Sequence, residues 1–158
     1  MTRSSLIDDR QIEEGQKAEL YRFMARCRLG VLGSLSEELS PQAALVGIAV
    51  TPQLEIIFDT VESSRKYGNL IGRPACSFVM GWEGEQTVQY EGAAKELERL
   101  SPELALYQQI YFEAWPECRA HLSWAEIRYF VVRPQWIRYS DFGQNPPLIR
   151  EFSFGDGR

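Results

Sequence analysis

Leu54-Glu55-Ile56-Ile57-Phe58-Asp59-Thr60-Val61-Glu62-Ser63-Ser64-Arg65-Lys66-Tyr67-Gly68-Asn69-Leu70 changes character half-way along. Its first part reads as a strand that ends at Asp59-Thr60. A short polar turn follows, and then a helix start where Ser63 or Ser64 caps and Arg65-Lys66 fill the first turn. A helix N-terminus offers unpaired backbone N–H groups and positive dipole potential. Hydroxyls and two cations placed there make a cradle for a phosphate. The same residues also fit an ordinary capped surface helix with solvated charges. Against that plainer reading, cations at a helix N-terminus oppose the macrodipole, where acidic residues are the usual choice.

Upstream, Leu20, Phe23, Met24 and Cys27 recur at helical spacing within a helix expected over Ile12–Arg26. Arg28–Leu35 reads as a first strand whose glycines permit a bend or bulge. After the polar Ser36–Pro41 connection, Gln42–Val50 is an apolar strand closed by a Thr51-Pro52-Gln53 turn. Alternation puts Val46, Ile48 and Val50 on one face and Leu45, Gly47 and Ala49 on the other. A face floored by glycine and alanine admits either a flat ligand or a closely packed strand, and both readings stand.

Downstream, the helix begun at Ser64 stops at Gly72-Arg73-Pro74. Ala75–Trp82, Gln86–Glu98 and Ile127–Tyr139 read as further strands. Ser101-Pro102-Glu103 opens a helix with an aromatic stripe at Tyr107, Tyr111 and Trp115, which fits core or a subunit interface. About six strands with short turns and flanking helices predict a mainly β domain, an antiparallel barrel or sandwich. Residues 1–10 and 143–158 read as peripheral tails of this single domain.

The chain of 158 residues is 44% hydrophobic and 25% charged, with a net charge of −5. That acidic balance, without a basic stripe, disfavours nucleic-acid binding. No apolar run approaches bilayer-spanning length and the N-terminus lacks a leader's apolar stretch, so a cytoplasmic location is expected. Cys27, Cys76 and Cys118 are odd in number and lack Cys-x-x-Cys spacing, which predicts free, mostly buried thiols. His121 is the sole histidine. It gives little support to a histidine-rich metal site or a hydrolase triad.

Pro41, Thr60, Ser64-Arg65-Lys66, Asn69-Leu70, Pro74 and Thr87-Val88-Gln89-Tyr90-Glu91-Gly92 stand in an order that resembles the pyridoxamine 5′-phosphate oxidase-like family of FMN-binding split β-barrels. The resemblance is clear from about Leu20 to Leu97 and looser beyond. It implies an antiparallel Greek-key split barrel of about six strands, FMN as cofactor, and a homodimer with FMN at the interface. It assigns the FMN phosphate to Arg65 and Lys66, with Asp59, Thr60 and Ser64 at the same end. It lays the flavin along Leu45, Val46 and Gly47, and it directs Thr87 or Gln89 toward the ring.

Departures from the pattern exclude pyridoxamine phosphate itself as the expected substrate. The strand Ala44–Ala49 carries no basic residue. Trp115 stands where a Tyr-x-x-x-Arg pattern beginning at Tyr111 would put arginine, and Arg138-Tyr139-Ser140-Asp141-Phe142 lacks a histidine and a second arginine. Each missing charged contact to a phosphate costs on the order of a few kcal/mol. The expectation is an FMN-dependent oxidoreductase of another substrate. The alternative is a flavin- or haem-binding module without turnover.

Overall fold

The computed structural model describes residues 3–155, with side chains from residue 9 onward. Its elements are α1 (Arg3–Arg26), β1 (Leu29–Leu35), β2 (Pro41–Gly47), β3 (Ala49–Val50), β4 (Ile56–Val61), α2 (Arg65–Gly72), β5 (Ala75–Met80), β6 (Gln86–Glu96), α3 (Pro102–Ala114), β7 (Ile127–Asp141) and β8 (Leu148–Ser153). Short 3₁₀ segments cover Glu83–Glu85 and Pro116–Ser123.

All strand pairs are antiparallel, and the hydrogen-bonded order is β2-β1-β5-β6-β7-β4-β3. The two ends of that order are neighbours in sequence, because only Ile48 separates β2 from β3. One extended segment, Pro41–Val50, therefore starts as the partner of β1 and finishes as the partner of β4. This change of partner closes the sheet and is why a single expected strand appears as two. Ile48 N–H is satisfied at the switch by Arg28 C=O at 2.9 Å.

Two cores follow from strand alternation. Inside the barrel, Leu32, Val46, Ile48, Phe58, Phe78, Phe130 and Val132 pack with Leu20 and Met24 of α1. On the outside, Ala49, Ile57, Tyr129 and Val131 receive Tyr111 and Phe112 of α3. The aromatic stripe of α3 is thus core. Its start is the expected one, with Ser101 Oγ accepting from Leu104 N–H at 3.0 Å and Pro102 at the first position.

β6 and β7 shift register where Glu91 faces Trp136 and Gly92 faces Pro134, leaving Gln135 unpaired. Proline cannot donate to a ladder, so a bulge is where a long strand tolerates it. Glycine is required opposite, since a Cβ at Gly92 would lie 2.4 Å from Arg133 C=O.

Two expectations at the ends are corrected. The first helix begins at Arg3, not near Ile12; residues 9–15 are exposed, so no apolar stripe marks that part, and Glu13–Lys17 pairing supports it locally. The C-terminal segment is not a free tail up to residue 155. β8 pairs with β7 from Trp136 to Asp141 and buries Phe152. Met1, Thr2 and residues 156–158 lie outside the described residues.

Candidate cofactor site

Ser64, with extended backbone (φ −75°, ψ 151°), is the cap of α2, and its Oγ accepts Tyr67 N–H at 3.2 Å. Ser63 is turned away, donating to Glu126 Oε2 at 3.0 Å. Thr60 Oγ1 and Ser64 Oγ lie 2.8 Å apart. Two hydroxyls carry two hydrogens and this contact uses one. Whichever donates, one O–H remains uncommitted beside the helix start.

The backbone N–H groups of Arg65 and Lys66 find no partner among the described residues, as the first positions of a helix require. Nor do their side chains form an ion pair among the described residues. The nearby carboxylate of Glu62 is engaged by Arg128. The rest of the helix is anchored. Leu70 is buried in the barrel, Asn69 Nδ2 donates to Ser34 Oγ (3.0 Å) and Gln42 Oε1 (2.9 Å), and Tyr67 OH donates to Glu96. Burial and the Glu96 carboxylate raise the Tyr67 pKa, which keeps that phenol a donor.

The expected cofactor residues fall into separate groups. Thr60, Ser64, Arg65 and Lys66 meet where β4 runs into α2. Leu45, Val31, Val79 and Gln89 are directly paired across four strands and so share the outer face of the barrel. Thr87 points the same way as Gln89, into a shallow groove of about 360 Å³ with Val79 and Trp136. Val46 points inward to the core.

Gly47 and Asp59 depart from the expected grouping. A flat group does lie against Gly47, but it is the indole of Trp115, whose ring carbons would sit 3.0 Å from a Cβ there. Trp115 Nε1 donates to Ile48 C=O at 2.9 Å, and the Arg28 guanidinium stacks on the indole at 4.0 Å. Asp59 alternates with Thr60 along β4 and faces the opposite side. Its Oδ2 lies 2.7 Å from His121 Nδ1, so its carboxylate is turned away from the start of α2.

Both covering contacts are long-range and carry no periodic sequence signature. They arise from the segment Trp115–Trp124 folding over β4, with partners 67 and 62 residues apart. The Cys118-x-x-His121 spacing was the local signal available.

The family model described as pyridoxamine 5′-phosphate oxidase matches residues 16–141. The chain belongs to the pyridoxamine 5′-phosphate oxidase family. No curated protein matches it. Among solved structures, the pyridoxamine 5′-phosphate oxidase fold recurs in a heme binding protein from Mycobacterium smegmatis (TM-score 0.74, 19% identity), covering 87% of this chain and 57% of that one. It recurs in a pyridoxamine 5′-phosphate oxidase-related, FMN binding protein from Nostoc punctiforme (TM-score 0.66, 11% identity), covering 90% and 88%. Campylobacter jejuni ChuZ is similar too (TM-score 0.72, 15% identity), covering 90% and 61%. The chain therefore spans little more than half the length of the mycobacterial protein, and at these identities the likeness concerns the fold. Among the described residues, no helix is long and apolar enough to cross a membrane.

Proposed function

We propose that this chain binds FMN across a homodimer and works as an FMN-dependent oxidoreductase on a substrate other than pyridoxamine phosphate. The observation that carries the reading is the start of α2. There, one uncommitted hydroxyl hydrogen of the Thr60–Ser64 pair and two free backbone N–H groups stand at the helix start, and the first turn carries the cations Arg65 and Lys66. That donor set suits a dianionic phosphate monoester. A bound FMN supplies reversible one- and two-electron transfer. The chain's own residues hold its phosphate at the cradle and offer an apolar face to its ring.

A two-copy site is supported by register. Thr60 faces Arg128 on β7 while Gln89 faces Arg138. Those positions are separated by on the order of 30 Å of strand. The outer row that holds Gln89 is apolar and open, with Leu45 61% and Val79 42% exposed. A second copy laid on that row would bury it and bring its own cradle toward the first chain's Gln89.

Pyridoxamine phosphate is disfavoured because the residues at the relevant helical positions are occupied. Tyr111 is buried with its hydroxyl on Cys118 Sγ at 3.9 Å, and Trp115 covers Gly47. Haem ligation by His121 is disfavoured because Trp124 stacks on its ring at 4.1 Å and the side chain is only 25% exposed, which leaves no room for a macrocycle over it.

Titration of the purified chain with FMN, followed by the flavin spectrum and by sedimentation, tests the proposal. Saturation at one FMN per chain on a dimer is expected. A colourless protein that takes up no FMN would overturn it. Oxidation of NADH or NADPH by the loaded dimer then separates an enzyme from a flavin store.

A further inference from the structure

The corner where the Pro116–Ser123 3₁₀ segment meets β4 gathers a second set of chemistry-bearing side chains. It lies on the face of β4 opposite the cradle. Asp59 offers a carboxylate oxygen, Cys118 its Sγ and His121 a ring nitrogen, all within 4.8 Å of one another. Cys118 and His121 are three residues apart in a 3₁₀ turn, where side chains at that spacing eclipse and project together. Asp59 meets them from a central strand paired on one side with β7, so the three donors stand on two firmly held elements.

Two neighbours complete the surroundings. Tyr111 OH approaches Cys118 Sγ at 3.9 Å. Tyr129, 4% exposed, has its hydroxyl buried without a hydrogen-bond partner. A buried polar atom left unsatisfied calls for an explanation, and an unseen ion or its bound water is one.

We propose that Asp59, Cys118 and His121 form a binding site for a divalent transition metal of the zinc class. One thiolate, one imidazole and one carboxylate are a mixed S, N, O set that suits zinc or cobalt and is too soft for calcium or magnesium. Three protein ligands leave a fourth position. His121 is 25% exposed, so water can reach it, and Tyr129 stands directly opposite Asp59 on β7. Tetrahedral N and O ligands at about 2.0 Å from zinc stand on the order of 3.3 Å apart. The Asp59–His121 contact of 2.7 Å therefore has to open slightly when the ion enters. On binding, Cys118 releases its thiol proton to solvent and His121 turns the Nδ1 lone pair to the metal, with its proton on Nε2. The ion then clamps the Trp115–Trp124 segment to β4.

Titration of the metal-stripped full chain with Co²⁺ tests this. Binding should saturate at one ion per chain, with a sulfur-to-cobalt charge-transfer band and visible bands of tetrahedral intensity that Zn²⁺ abolishes. Cys118→Ser should remove the charge-transfer band, and His121→Ala should weaken binding by roughly a hundredfold or more, beyond the outer-shell range. Cys76→Ser and Cys27→Ser should leave the spectrum unchanged. Absence of the band in the unsubstituted chain would overturn the proposal without recourse to any variant. Its persistence in Cys118→Ser would overturn it equally.

Discussion

Trp115 lies flat on Gly47, fixed there by its Nε1 hydrogen bond to Ile48 C=O at 2.9 Å. A surface that could have received a ligand thus receives a side chain of the same molecule. Because a Cβ at Gly47 would come within 3.0 Å of the indole, Gly47→Ala should displace Trp115 and destabilise the fold by about 1–3 kcal/mol. Trp115→Leu should remove most of that penalty. Thermal unfolding of both single variants and the double variant checks this, and additive effects would contradict the contact.

Tyr90 ties the β3–β4 turn to β7. Its buried hydroxyl lies 3.0 Å from Leu54 C=O and 2.9 Å from Val132 C=O. Leu54 has φ +64°, a left-handed conformation that costs leucine about 1 kcal/mol or more, yet its side chain is 2% exposed in the core. Tyr90→Phe should cost about 1–3 kcal/mol, because buried carbonyls lose their donor. Leu54→Gly should be worse despite relieving the backbone, since emptying a leucine site costs about 2–5 kcal/mol. Denaturant midpoints should rank wild type, Tyr90→Phe and then Leu54→Gly from most to least stable.

The thiols should separate by reactivity. Burial pushes the Cys76 thiol up to about 12 and raises Cys27 and Cys118 as well, so at pH 8 all three are chiefly protonated. Only Cys27 is appreciably accessible. A disulfide reagent should therefore modify one thiol per native chain, faster as pH rises from 8 toward 9.5, and the other two only on unfolding. Three equally fast thiols would contradict the packing.

Legibility in the sequence followed contact range. The capping hydroxyl of Ser64 beside Thr60 and the Ser101-Pro102 helix start are local, and their residue types carry their own reasons. The strands β1, β4, β5 and β6 were readable from alternation and turns. The partner change at Ile48 was not, because closure of the sheet is a property of the whole barrel. α1 extends N-terminally of Ile12 to Arg3, residues 9–15 of it are exposed, and periodicity is blind to such a stretch. The pairing of Leu148–Ser153 with β7 was hidden by the turn-forming Asn145-Pro146-Pro147 before it. Asp59 lies next to Thr60 in sequence yet serves the opposite face, because neighbours on a strand alternate, and its partner His121 comes from the α3 corner, 62 residues away.

The central claim is that the start of α2 holds the phosphate of FMN, and comparing FMN with riboflavin tests it most directly. Riboflavin carries the same ring without the phosphate. Charge-assisted contacts are worth about 1.5–3 kcal/mol each, less where exposed as at Arg65, so the phosphate should tighten binding by roughly a hundredfold. The account predicts that the Arg65→Ala/Lys66→Ala variant brings FMN affinity most of the way down toward that of riboflavin, the hydroxyl and backbone donors being retained, while leaving riboflavin binding unchanged. Equal affinity of the unsubstituted protein for the two flavins, or undiminished FMN binding by the variant, would contradict it.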